Sequence, residues 1–227
     1  VSARPSRDRR PVSPQLDDAD LEPLDLADVE DHTSYEHRRV VGAVPGQELE
    51  GVDLLHCRLE SVELTSVRWR GIRMADVVIV DSDLSGAVFE RAELRRVELR
   101  SCRQLGLHLP AVELHDVRFV GCRLDDSVLR SARGEHVVFE DCSMRGVDLR
   151  ATELARSSFF GCDLDRAELH DARLVDGRFH GSEVGGLRGA ASLRDLTIDS
   201  SQILPLALAM YSSLRIHVDD ECGPGAP

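Results

Sequence analysis

Residues 159–174 read FFGCDLDRAELHDARL. The stretch has counterparts at a spacing of 20. FVGCRL at 119–124 and FEDCSM at 139–144 precede it, and FHGSEV at 179–184 follows, with Ser182 where the others carry Cys. A Phe followed three positions later by Cys or Ser, recurring at that fixed interval, marks a repeat architecture in which each unit buries its apolar side against the next.

The finer frame is five. From Gln47 the chain divides into 28 pentapeptides without an insertion, from QELEG at 47–51 to SEVGG at 182–186. The third slot holds Leu, Phe, Met, Ile, Val or Trp in 26 of the 28, with Gln104 and Gly134 the exceptions. The first slot mostly holds Val, Ala, Cys, Ser, Thr or Gly. Residues 47–186 contain 26 Asp and Glu and 19 Arg, and none of these 45 charges falls in a first or third slot. An even spread would put about 18 there. Two slots in five are barred to charge, as positions facing a dry interior must be. The period of five matches neither the 3.6 of an amphipathic helix nor the 2 of a half-buried strand.

The pattern resembles that of the pentapeptide-repeat family, most clearly in AELRR (92–96), AELHD (167–171) and VDLRA (147–151). The resemblance implies an all-β fold, a right-handed quadrilateral parallel β-helix with one pentapeptide per side and four pentapeptides per coil. Residues 47–186 would make seven coils, about 34 Å long at the spacing of paired strands. First and third slots then point inward, and side chains one coil apart lie one above another. Phe119, Phe139, Phe159 and Phe179 are expected to form one inner ladder. Cys102, Cys122, Cys142 and Cys162, flanked by Ser82 and Ser182, are expected to form a second.

The ends are read from local pattern. Residues 1–15, rich in Arg and Pro, are expected to form a disordered tail, without the apolar core of a secretory signal. Residues 16–46 form an acidic N-terminal cap carrying Asp17, Asp18, Asp20, Glu22, Asp25, Asp28, Glu30 and Asp31, with Leu21, Leu24, Leu26 and Val29 beneath. Residues 187–218 close the other end with a short α-helix, its start signalled by Asp199 and Gln202 at capping-box spacing and Pro205 tolerable only near that start. A short strand is expected at 214–218, and residues 219–227 form a second disordered tail. The helix either covers the last coil or builds a homodimer through Leu206, Met210 and Tyr211.

Composition excludes several classes. The chain has 227 residues, 41 acidic against 28 basic, and every basic residue is Arg. No apolar run reaches the 18 or so residues of a membrane span, so a soluble cytoplasmic protein without membrane contact is expected. Six cysteines, none in a CxxC pair, are too sparse for a disulfide scaffold. Zinc needs ligands converging on one point, whereas a column of thiols forms a line; the cysteines read as small fillers of a crowded slot. His56, His108, His115, His136, His170 and His180 occupy outward slots, and no phosphate loop, GxSxG or HExxH is present. No cofactor, metal or catalytic constellation is expected.

The resemblance also implies a partner. Some family members, the quinolone-resistance proteins of the Qnr and MfpA types, are acidic rods that occupy DNA gyrase or topoisomerase IV in place of DNA. Two readings follow: a non-catalytic DNA mimic binding a type II topoisomerase, without binding nucleic acid itself, and a scaffolding rod docking another protein. DNA would carry about 20 charges over such a length, whereas residues 47–186 net −7, from 19 Arg against 26 Asp and Glu. Acids and Arg are mixed up the columns, as in Glu93, Glu113, Arg133, Glu153 and Arg173, the pattern of a salt-bridged surface. For the scaffold, outward-pointing Val78, Val80, Val120, Val138 and Phe160 suggest an apolar docking patch.

Overall fold

Parallel pairing at a fixed offset of four pentapeptides builds the molecule. In the computed structural model, which describes residues 10–214, strand Glu93–Arg100 lies between Arg73–Val80 and Glu113–Val120, with Arg133–Glu140 next in line. The register sets Leu99 beside Phe119, then Phe139, Phe159 and Phe179. On another side, Glu48–Glu50, Arg68–Arg70 and Val88–Glu90 pair in the same sense. The result is a β-solenoid of about nine turns with one short helix at its C-terminal end.

The corners come from the fifth slot. In 27 of the 28 pentapeptides that residue has φ between 49° and 67°, the left-handed region. Four such corners per coil give the four sides. Gly occupies several, but Asp76, Asp116, Ser131 and Ala151 do so as well, and no β-branched residue, for which this conformation is most costly, occurs in the slot. At one corner the turn is closed by a backbone bond from the next first slot to the third slot, as in Val147 N–H to Met144 O and Ala167 N–H to Leu164 O.

The ladder runs beyond the unbroken frame at both ends. Glu22–Asp25 pairs with Arg38–Val41 at an offset of 16, and Ser34–Glu36 with Asp53–Leu55 at 19. Thr197–Ile198 pairs with Arg178 and Phe179. Strands within residues 16–46 are therefore themselves paired into the solenoid. Leu26 and Val29 are buried there, while all eight acids of residues 17–31 are exposed.

Inside, the columns stack as the register demands. Phe119–Phe139 and Phe139–Phe159 are parallel at 4.8 and 5.0 Å, and Phe159–Phe179 turns edge-on at 4.8 Å. Each such pair adds about 0.5–1.5 kcal/mol beyond its buried area. The cysteine column does more than fill space. Each Sγ donates to the carbonyl two positions before it and to one a coil below: Cys142 to Glu140 O (3.2 Å) and Phe119 O (3.6 Å), Cys162 to Phe160 O (3.4 Å) and Phe139 O (3.5 Å). Ser182 Oγ repeats the pattern with His180 O and Phe159 O. A small side chain ending in a donor suits this column, which is why Cys and Ser exchange along it. Burial pushes the Cys57 thiol up and keeps it protonated.

Neither exception to the third-slot rule interrupts the coil. A bulge or kink at Gln104 or Gly134 is not found: Gly134 stays opposite Leu114 and Leu154. A Cβ at 134 would run into the carbonyl and, at 2.9 Å, the Cβ of Leu114. Gln104 is fully buried with both side-chain polar atoms unpartnered.

Two substitutions test this interior. Gln104→Leu removes a buried amide that makes no bond and should raise stability by about 1–3 kcal/mol, whereas Gly134→Leu should lower it by about 1–3 kcal/mol through overpacking. Urea unfolding of both variants beside the parent chain reads the two signs.

Candidate functional site

With the interior closed by side chains, function falls to the outer slots. Their columns are arranged by the same register that stacks the core. Arg70 bonds Glu90 at 3.1 Å one coil up, and Arg188 bonds Glu168 at 2.9 Å one coil down. Arg118 bridges Glu98 and Glu140, and Glu98 is buried beneath these contacts. Asp148 accepts from both Arg130 and Arg150. Individually such exposed pairs contribute little, about 0–1 kcal/mol. Together they leave the flanks without a continuous stripe of carboxylates.

The apolar patch expected on side three is not assembled. Val78 and Val138 are each only 7% exposed, and Val80, Val120 and Phe160 are half-buried. The register alternates Val78 and Val138 with Arg58, Glu98, Arg118 and Ser158, and Val80, Val120 and Phe160 with Arg100 and Glu140. Long Arg and Glu side chains lay their methylene stems over apolar neighbours, so outward Val does not mean exposed Val here.

Most of the exposed large apolar side chains lie on or beside the helix Ile203–Ser213 instead. Asp199 and Gln202 form the capping box, and Gln202 Nε2 also bonds Ser182 O at 2.8 Å, fastening the helix start to the last coil. Leu206 and Met210 pack on the core beside buried Ala209. Of the three residues expected to pair two copies, only Tyr211 faces out. Ile203, Leu204, Leu208 and Leu214 join it, with Leu204 67% exposed. Of the strand expected at 214–218, only Leu214 lies within the described residues, where it ends the helix.

At the opposite end the acids of residues 17–31 form an exposed cluster. Asp18 is bound by Arg58 at 2.7 and 3.0 Å, and Glu22 pairs with Arg38. Asp17 and Asp25 instead cap short 3-10 turns through Ala19 N–H and Ala27 N–H, and Asp31 accepts from Glu50 N–H.

A fourth feature involves residues expected in a disordered tail. Residues 10–15 lie against the corner between sides two and three: Val12 N–H bonds Asp116 Oδ1 and Gln15 N–H bonds Asp76 Oδ1, both at 3.0 Å, and His56 Nδ1 donates to Gln15 O at 3.0 Å. These partners are fifth-slot residues of one column, in which Arg96 also holds Asp76, and His136 sits between Asp116 and Arg156. Residues 1–9 and the tail expected at 219–227 lie outside the described residues, as does Cys222. Among the described residues no helix is long and apolar enough to cross a membrane.

Residues 112–188 match the family described as Pentapeptide repeat region. Among solved structures, the chain is similar to HetL, a pentapeptide repeat protein involved in heterocyst differentiation regulation from the cyanobacterium Nostoc. The two share 17% identity with a TM-score of 0.48, over 74% of this chain and 87% of HetL. It is also similar to full-length QnrB1, a plasmid-mediated fluoroquinolone resistance protein, at 14% identity and a TM-score of 0.34, over 81% of this chain and all of the other. No curated protein matches the chain.

The strap contacts carry a pH dependence. Burial opposes the charge on Asp76, yet hydrogen bonds from Arg96 and Gln15 N–H, with Arg96 and His56 close by, hold its carboxyl below the usual carboxylate range. A depressed folded-state pKa contributes stability that is fully present above the unfolded value of about 3.9 and lost as pH falls through the folded one. The Gln15 amide should therefore keep its protection from exchange between pH 7 and about 5 and lose it in stronger acid. NMR of that amide across a pH series checks this, and loss already near pH 6 would assign the control to histidine instead.

Proposed function

The chain is a pentapeptide-repeat protein, and we propose that it is a non-catalytic interaction rod whose partner is a type II topoisomerase, engaged by DNA mimicry from the acidic N-terminal end. The observation that carries this reading is the distribution of charge. Arg contacts many carboxylates along the flanks, whereas eight acids of residues 17–31 stand exposed together at one end, only some of them held by Arg. A groove built to hold the DNA backbone attracts such a cluster, and the attraction falls steeply with salt. Such a partner places the protein in the cytoplasm.

The exposed helix face completes the proposal. Ile203, Leu204, Leu208, Tyr211 and Leu214 cover a second copy of the same face, and a two-fold pairing of that kind buries the same residues on both copies. The resulting dimer would carry an acidic end at each extremity. The scaffolding reading is favoured by this helix face rather than by the side-three valines, because the face is apolar and open, whereas Val78 and Val138 are buried and Val80 and Val120 half-buried.

Two experiments separate these readings. Purified gyrase supercoiling should be inhibited by the protein at about 50 mM salt and far less at about 200 mM, and neutralising Asp17, Asp20, Asp28 and Glu30 should abolish the inhibition. Salt-independent association with another protein, lost on Leu204→Asp, would favour the scaffold. For the dimer, sedimentation should give twice the monomer mass, reduced to the monomer by Leu204→Asp with Leu208→Asp.

A further inference from the structure

Over residues 10–15, the strap that continues to Asp18 bonds the rod through its backbone. The Val12 and Gln15 amides donate to Asp116 and Asp76, and the Gln15 carbonyl accepts from His56. Only beyond them does a side chain contribute, where Asp18 meets Arg58 in a two-bond pair. Val12, Ser13 and Gln15 are exposed, while Pro11, Pro14 and Leu16 are partly buried.

The spacing of these bonds identifies the conformation that the rod accepts. Asp76 and Asp116 are two coils apart in one corner column, which at the spacing of paired strands is about 9.6 Å. Val12 and Gln15 are three positions apart. A polyproline II segment advances about 9.3 Å in three residues and returns the same face after three. A β-strand covers a similar distance but turns residues i and i+3 to opposite sides. Only the first conformation presents both amides to one column. The sequence supports it: Pro11 and Pro14 fix their own φ and bias Arg10 and Ser13 toward the same region. Each proline also stands directly before a donor, so in PVSPQ a residue without an amide hydrogen twice precedes one that gives it.

The receiving side is built rather than incidental. Asp76 is 2% exposed, and its second oxygen is held by Arg96. Asp116 is faced by His136 Nδ1 at 3.5 Å, whose Nε2 accepts from Arg156 at 2.9 Å. The acceptors thus stand in fixed positions on a ladder that cannot slide without breaking its register.

We infer that the corner column of Asp116, Asp76 and His56 is a docking track for an extended peptide with proline at every third position, and that residues 10–18 fill it as a displaceable occupant. The track recognises the backbone of such a peptide and the proline spacing, so a partner with the same spacing is a ligand of the same class. The strap's contacts lie at the solvent edge and involve few bonds, so it opens more readily than the ladder beneath it. This inference does not depend on the topoisomerase reading.

The test uses the full chain. Val12→Pro with Gln15→Pro removes both amide donors while keeping the extended conformation, leaving the track open. A fluorescein-labelled peptide of residues 9–19, RRPVSPQLDDA, is then titrated by fluorescence polarisation. The open variant should bind it at least about tenfold more tightly than the parent chain, whose own strap competes, and a peptide carrying the same two prolines should not bind. Asp116→Ala in the open variant should weaken binding about tenfold; Ala is tolerated at this left-handed corner, as Ala111 and Ala151 illustrate. Equal binding by parent and open variant, no binding by either, or indifference to Asp116→Ala would each overturn the proposal. Should the open variant fold poorly, exchange of the Val12 amide in otherwise unaltered chains decides instead. Faster exchange on Asp116→Ala supports the track, and unchanged exchange overturns it.

Discussion

Each coil satisfies its backbone amides and carbonyls on the coils above and below, at an offset of four pentapeptides through most of the chain. That ladder is the constraint from which the rest follows. It leaves no freedom of register, because a shift of one residue would turn the inward first and third slots toward solvent. It also places like on like. A Phe at one level needs a partner of similar size at the next, and four Phe rings follow one another where the sequence supplies them. A thiol finds the same two carbonyls at each level, so Cys and Ser can alternate while a longer side chain could not.

The same register governs the outside. Side chains one coil apart are neighbours, so the surface is a set of columns whose charges must alternate, share a partner or be covered. Arg118 between Glu98 and Glu140, and Asp148 between Arg130 and Arg150, are local solutions to that problem. The solutions use up much of the negative charge on the flanks. The surfaces left for a partner are the acidic N-terminal end, the helix at the other end, and the corner column that receives the strap. All three lie where the regular pattern stops or where the chain folds back on it.

Legibility in the sequence followed the same division. The inner slots could be read because exclusion of charge leaves a mark at every repeat, and the stacked Phe and Cys columns followed from it. The left-handed fifth slot also leaves a mark, the absence of Val, Ile and Thr, but a tolerant mixture of Gly, Asp, Ser, Arg, His and Ala hides it. Val78 and Val138 were misread as exposed because a slot's direction says nothing about the reach of Glu98 and Arg118 beside it. Leu206 and Met210 stayed open between cap and dimer because a helix apolar on all sides does not declare which face meets the last coil. The strap was invisible for a different reason: Val12 and Gln15 find their partners 104 and 61 residues away, and no local pattern encodes contacts at that distance.

The coil-to-coil register is open to a direct distance measurement. Arg73 and Arg173 are exposed, occupy one column and stand five coils apart along the ladder. Nitroxide labels on cysteines introduced at these two positions in a Cys222→Ser background, with the five buried native thiols left unlabelled, report their separation by pulsed electron paramagnetic resonance. Five coils predict a narrow distribution centred near about 24 Å. A broad distribution, or a centre displaced by more than a coil or two, would contradict the register and with it the columns on which every surface described above depends.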